Sequence, residues 1–274
     1  MSQFRRSAWV LAVVIPLLTA NLTAQSAGGA ELNLGVQAYR QSKYAEAEQH
    51  FAKAVELDPD KAVAHLYLAT VYSQQYIPGV EETSNKSYAD RAIEQYKAAV
   101  NLDLSPEGRI DAVKGIAYLY LQMKNFDDAK SFYLRAAELD PNDPEAYYSI
   151  GVIDWTLTYT PRMEARAKLN LKPDASLSAK DKKTCAAIRE KNWANIEDGI
   201  NNLNKAIQLR PDHDDAMAYM NLMYRERADV QCDDPKAREI DLATADDWVD
   251  KTMAVKKAKT DKGKASTDSD SQKK

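Results

Sequence analysis

The sequence predicts an all-α solenoid, about five helical hairpins stacked in series and flanked by two ends outside the stack. Three observations predict it. The segment AVELDPD, Ala54 to Asp60, returns as AAELDPND, Ala136 to Asp143. Small residues recur at fixed distances from these prolines, where two helices must touch closely. The surplus residues that make the return irregular fall almost wholly between the two helices of a hairpin. With 274 residues, 45% of them hydrophobic and 28% charged, the chain can bury a sizeable core.

The N-terminus reads Met-Ser-Gln-Phe-Arg-Arg, then an apolar run from Ala8 to Leu18, then small and polar residues. That layout predicts a secretory signal over 1–24, cut after Ala24 or, as second choice, after Ser26. The alternative is an uncleaved membrane anchor, but Thr19 and Asn21 leave the run short of the ~20 apolar residues that a span needs. Ala8 sits where a twin-arginine signal wants a bulky apolar residue, so ordinary secretion is expected. At the other end, the Lys-, Ser- and Asp-rich stretch 259–274 has almost nothing to bury and predicts a disordered tail. Its aspartates, with a net charge of -4, argue against docking on anionic surfaces such as nucleic acid.

Reading backwards from Pro59 gives Ala54, Phe51, Ala47, Gly35 and Leu34. The register continues through Leu68, Ala69, Tyr72, Ala92, Tyr96 and Ala99, and again through Ile116, Ala117, Tyr120, Ala129, Tyr133, Ala136 and Pro141. A fourth unit supplies Tyr147, Ile150, Gly151, Gly199, Leu203, Ala206 and Pro211; a weaker fifth supplies Met220, Tyr224, Ala245 and Val249. A terminal unit is expected to be atypical because it caps the stack. These residues and their 34-residue spacing resemble the tetratricopeptide-repeat family over 28–258. The resemblance implies a right-handed superhelix, with units at 28–61, 62–106, 110–143, 144–213 and 214–258.

Pro59 and Pro141 lie 82 residues apart because unit two carries 11 extra residues between Tyr72 and Ala92 and the SPEGR junction adds 3. Unit four carries 36 extra and unit five 12, again between the paired helices. In a stack such insertions project from one edge, as a ridge. Parts of it are expected to be helical, lengthening the second helices backwards: Ser178 precedes a run with three- and four-residue apolar steps, and Asp234-Pro235 reads as an N-cap and first helical residue. The Tyr76-Ile77-Pro78-Gly79 corner reads as a turn. Cys185 and Cys232 fall in adjacent insertions of a chain expected to be exported, so they can pair or remain two thiols.

No chemistry is legible. His50, His65 and His213 form no spaced metal cluster, and no nucleophile elbow or phosphate-cradling glycine loop is present. Asp214 and Asp215 near His213 read better as first-turn acids than as cation ligands. An enzyme, a cofactor and a small-molecule substrate are therefore not expected. By the resemblance, repeat positions 2, 5, 9, 12 and 13 face a concave groove. They include Leu32, Val36 and Tyr39 in unit one, Leu66 and Gln74 in unit two, Lys114, Tyr118 and Leu121 in unit three, and Tyr148, Val152 and Trp155 in unit four. The carboxylate clamp of chaperone-binding relatives is absent, since Leu32, Val36 and Tyr67 replace its Lys and Asn residues. The expectation is a non-catalytic scaffold, periplasmic or secreted, that binds a peptide or helix of a partner protein in an apolar, aromatic groove. The alternative is a structural solenoid that associates with its own copies.

Overall fold

The structure, a computed structural model, describes residues 26–172 and 175–271, with side chains through Asp261. The expected signal segment 1–24 lies outside these residues. Eleven helices make up the described chain. The first three hairpins are α1 (Ala27–Arg40) with α2 (Tyr44–Leu57), α3 (Ala62–Gln75) with α4 (Thr83–Asn101), and α5 (Pro106–Gln122) with α6 (Phe126–Leu139). The fourth pairs α7 (Pro144–Lys168) with α9 (Lys182–Leu209) and places the short α8 (Leu177–Lys180) between them; the fifth pairs α10 (Asp214–Asp229) with α11 (Pro235–Ser271). Each second helix also packs on the first helix of the next hairpin. The chain is therefore the all-α solenoid the sequence predicts.

Close approach at small residues holds each pair together. Ala47, Ala54, Ala69, Ala92, Ala99, Ala117, Ala129, Ala206 and Ala245 are all fully buried. A methyl group on Gly35 would lie 2.5 Å from Phe51 Cδ1, and one on Gly151 would lie 2.5 Å from Leu203 Cγ. Both contacts join the two helices of one hairpin. The DP turn after α2 is closed from the next hairpin, where His65 Nε2 sits 2.9 Å from the Pro59 carbonyl while Nδ1 meets Gln95 at 2.7 Å. Tyr147, at the same place in unit four, donates to the Pro141 carbonyl.

Several boundaries differ from the sequence reading. Unit three starts at Pro106, not at 110, because Ser105 Oγ accepts the Gly108 N–H at 3.1 Å and Pro106 takes the first helical position. SPEGR is thus a helix start rather than a spacer. In unit two the insertion is a turn, with Gly79 at φ 82°, that leads into a second helix of 19 residues, lengthened backwards as expected against the 14 of α2. Asn85 staples it by accepting from Ile77 N and donating to the Ile77 and Val80 carbonyls at 2.8–2.9 Å. In unit four the insertion lengthens the first helix as well as the second. Pro161 lies inside α7. Near it, Asn192 from α9 donates to the Thr158 carbonyl at 2.9 Å. The α9 start is set by Asp181, whose carboxylate accepts from Lys183 N and Thr184 Oγ1; Ser178 sits within α8 instead. Asp234 caps α11 through Ala237 N at 2.8 Å, as expected.

The helix α11 runs on to Ser271, through most of the stretch the sequence reads as a disordered tail. The reason is cooperativity. A helix already nucleated on α10 adds each further residue at little cost. Lys259 Nζ, 2.5 Å from Asp214 Oδ1, ties the start of this extension to the α10 N-terminus.

Cys185 and Cys232 form a disulfide with Cα atoms 5.7 Å apart, joining the insertions of units four and five. It closes a 47-residue separation, for which chain entropy alone stabilises the folded state by about 4 kcal/mol. Arg189 adds to the join, donating to the Val230 carbonyl at 2.9 Å and to Gln231 Oε1 at 3.1 Å.

Two outcomes are expected. Gly35→Ala and Gly151→Ala should each cost about 1–3 kcal/mol in urea denaturation, because neither Phe51 nor Leu203 can retreat within its packed hairpin. Reducing the disulfide should speed hydrogen exchange in α8 to α11 and leave α1 to α4 unchanged, because each repeat senses only its neighbours; a uniform loss of protection would contradict this.

Candidate interaction groove

The groove positions divide into two kinds. Leu32, Val36, Tyr39 and Leu66 are half-buried and pack on the core built by hairpins one to three. The Tyr39 ring meets Tyr44 edge-on at 5.6 Å, and its phenol pKa is raised by burial and then by Tyr44. Leu121 packs on a second core around Ile150 and Ile153. Lys114 is held by Asp143 at 2.6 Å. In this half, the surface expected to bind is largely occupied with packing. Gln74 is exposed and Val152 half-buried. Tyr118 is the exception, 45% exposed in the middle of the stack.

Towards the C-terminal end the first helices α7 and α10 bring aromatic rings together. Tyr148 and Trp155 of α7 both meet Tyr219 of α10 edge-on, with centroids 5.8 and 5.4 Å apart. Trp155 also meets Tyr159 at 4.8 Å. Sequence reasoning missed Tyr159 and Tyr219. The first lies beyond the last groove position of an ordinary repeat, on the lengthened part of α7; the second belongs to the unit whose register is weakest. The one available signal was the four-residue step from Trp155 to Tyr159, which places both on one helix face.

Trp155 and Tyr159 line a pocket of about 250 Å³ together with Leu222 of α10 and Leu242 of α11. Its remaining lining is charged, with Arg162, Arg225 and Arg238 beside Glu226 and Asp229. Arg162 bridges the two acids, Nε lying 2.7 Å from Glu226 Oε2 and Nη1 2.7 Å from Asp229 Oδ2. Arg166 binds Asp229 from the other side at 2.8 Å and donates to the Lys172 and Ala175 carbonyls. This network holds the lengthened end of α7 against α10. One hairpin earlier, Lys130 of α6 reaches Asp154 of α7 at 2.6 Å and Asp198 of α9 at 2.7 Å.

Burial sets the protonation of these acids. Asp154 and Glu226 are both fully buried, and desolvation pushes each pKa up to about 7 against the pull of Lys130 and Arg162 respectively. Lys130 is raised in turn, because its bonds to the two aspartates outweigh its own desolvation. His213 has its pKa lowered by burial and then by Arg210, which favours the neutral ring that accepts the Ala216 N–H at 3.4 Å. The imidazole lies against Tyr148, and Asp214 is engaged by Lys259, so this junction is a helix N-terminus rather than a cation site. Among the described residues no group of His, Cys, Asp and Glu is placed to hold a metal ion. Among them, too, no helix is long and apolar enough to cross a membrane.

Folded, Asp154 and Glu226 keep their protons to a higher pH than they do unfolded. Between the ordinary carboxyl range near about 4 and about 7 the folded state therefore binds more protons, and stability falls as pH rises, on the order of 1 kcal/mol per pH unit for each group. Thermal denaturation at pH 5 and pH 8 should show this component, and Asp154→Asn and Glu226→Gln should each shrink the difference between the two. An unchanged difference in both variants would show that these carboxyls do not titrate in that window.

Two family models described as tetratricopeptide repeat match residues 30–61 and 89–150. Among solved structures, a MamA protein aligns at 15% identity and TM-score 0.56 over 85% of this chain and 94% of that one. MamA from Desulfovibrio magneticus RS-1 aligns at 14% and 0.54, over 84% of this chain and 96% of its own. YrrB, described as a TPR protein with an unusual peptide-binding site, aligns at 16% and 0.53 over 87% and 94%. No curated protein matches the sequence.

Proposed function

Because the chain is a tetratricopeptide-repeat protein, we propose that it is a non-catalytic interaction scaffold of an exported compartment, taking a peptide or helix of a partner protein along its concave face. The observation that carries this reading is the aromatic run of Tyr148, Trp155, Tyr159 and Tyr219 on neighbouring first helices, opening into a pocket at its end. Aromatic side chains supply large contact areas at low entropic cost and are enriched among interface anchors. A related fold, that of YrrB, is described as binding peptide. Export is supported by the signal-like layout of 1–24 and by the disulfide, which persists in oxidising compartments.

Affinity capture of the full chain in its native compartment, followed by identification of what is retained, tests the scaffold. Tyr118→Ala removes an exposed ring and should leave the helical circular dichroism intact while weakening the captured partner about tenfold, the loss expected of an interface anchor. Unchanged affinity in that variant and in Tyr159→Ala would remove the groove from the interface. Retention of nothing but further copies of the chain, with self-association in sedimentation, would replace the reading with a self-assembling solenoid.

A further inference from the structure

We propose that the pocket between α7, α10 and α11 is a specificity subsite for an acidic side chain carried next to an apolar one, on an internal stretch of the partner's chain. This deepens the groove reading and rests on it.

Size is the first argument. At about 250 Å³ the pocket falls below the roughly 300–1,000 Å³ of small-molecule sites. It has room for one anchoring side chain and a carboxylate, which is the scale of a peptide subsite. Its apolar part, the tilted Trp155–Tyr159 pair with Leu222 and Leu242, is suited to an aromatic or branched aliphatic group.

Charge complementarity decides what lies beside that group. Arg162 pairs with Glu226 through an Nε contact of 2.7 Å that lies outside hydrogen-bond geometry and donates from Nη1 to Asp229 Oδ2 at 2.7 Å, while Nη2 has no hydrogen-bond partner among the described residues. Arg225 is held by two bonds, Nε donating to Asn221 Oδ1 at 2.9 Å and Nη2 to Asp246 Oδ1 at 2.6 Å, and its Nη1 has no hydrogen-bond partner among the described residues. Two guanidinium groups, each fixed by its own acid, therefore line one pocket with donors to spare. Guanidinium stays charged at any physiological pH and matches the planar carboxylate. Glu226 and Asp229 also line the pocket but are engaged by Arg162 and Arg166, so an entering acidic side chain meets guanidinium groups already oriented to receive it.

The walls also select the source of the carboxylate. Chain termini are captured by backbone N–H groups arranged as a nest. Here the lining comes from residues 155–162 of α7, 222–229 of α10 and 238–242 of α11, where backbone N–H groups bond within the helix, that of Arg238 near the α11 start included, since it donates to the Asp234 carbonyl at 3.1 Å. Only side chains remain to bind the acid, so the subsite favours Asp or Glu within a segment that continues along the aromatic run towards Tyr148.

The test pans a random 12-residue phage-displayed peptide library on the full chain and, in parallel, on Arg225→Gln, a residue with a 42% exposed side chain. The strongest wild-type peptide and its Glu→Gln or Asp→Asn counterpart are then titrated by fluorescence anisotropy. The wild type should enrich peptides with an acid within two residues of an aromatic or branched aliphatic residue. The amide peptide should bind about tenfold or more weakly, and this difference should vanish on Arg225→Gln. Should Arg225→Gln fold poorly, Arg225→Lys serves, since it keeps the charge and loses the planar fork. Enriched peptides without an acid, or equal binding of acid and amide, overturn the subsite while the groove stands. No enrichment on the wild type overturns the groove reading and the subsite with it.

Discussion

Zero clearance between paired helices is the constraint from which the rest of the molecule follows. Gly35 against Phe51 and Gly151 against Leu203 leave no space for even a methyl group, and the buried alanines repeat the same contact in other hairpins. Such contacts fix how closely two helices lie and which faces they turn to each other. Between hairpins the rule recurs at Gly199, where a methyl group would lie 2.5 Å from Met223 Cε of the next unit and 3.0 Å from Asp154 Cβ within its own. Once these distances are set, first helices of neighbouring hairpins lie side by side, as α3 does with α5 and α7 with α10. A shared first-helix surface is then a consequence of packing.

The fourth hairpin strains this scheme, because α7 with 25 residues and α9 with 28 extend well past the neighbouring repeats. Their outer turns cannot rely on stacking alone. A small apolar cluster of Ala165, Leu177, Leu169 and Ile188 packs there, joined by a disulfide, the Arg189 bonds to the α10–α11 connection, and the buried pairs of Arg162 and Arg166 with Glu226 and Asp229. Buried ion pairs contribute little net stability compared with apolar packing, yet losing one partner is costly. They therefore specify geometry. Here they hold α7 and α10 at the separation that leaves a pocket between Trp155 and Leu242.

How much of the site was legible follows from the same division. Tyr118, Tyr148 and Trp155 were readable because ordinary repeat positions place them on the first-helix face. Leu32, Val36, Tyr39 and Leu66 obey the same positional rule, but they double as packing residues, since a position on the concave side still touches the neighbouring repeat. Tyr159, Tyr219 and the arginines of the pocket were not readable, because they lie outside the repeat pattern or in its weakest copy. Nothing local distinguishes Arg162 from any surface arginine until Glu226 and Asp229 arrive from a helix more than sixty residues away.

By itself, the sequence determined the helices, their pairing and the order of the stack. Those depend on short-range patterns, namely small residues at helix contacts, prolines at helix ends, and the Asp234 cap of α11. It also placed both cysteines on neighbouring insertions. Only the tertiary structure decided that they join, that the long insertion lengthens two helices rather than one, and that α11 continues past its last packed turn. It alone decided that Trp155, Tyr159, Arg162 and Arg225 line one pocket with Leu222 and Leu242. Distances between residues far apart in the chain arise from the accumulated packing of every intervening helix, and no local pattern encodes that sum.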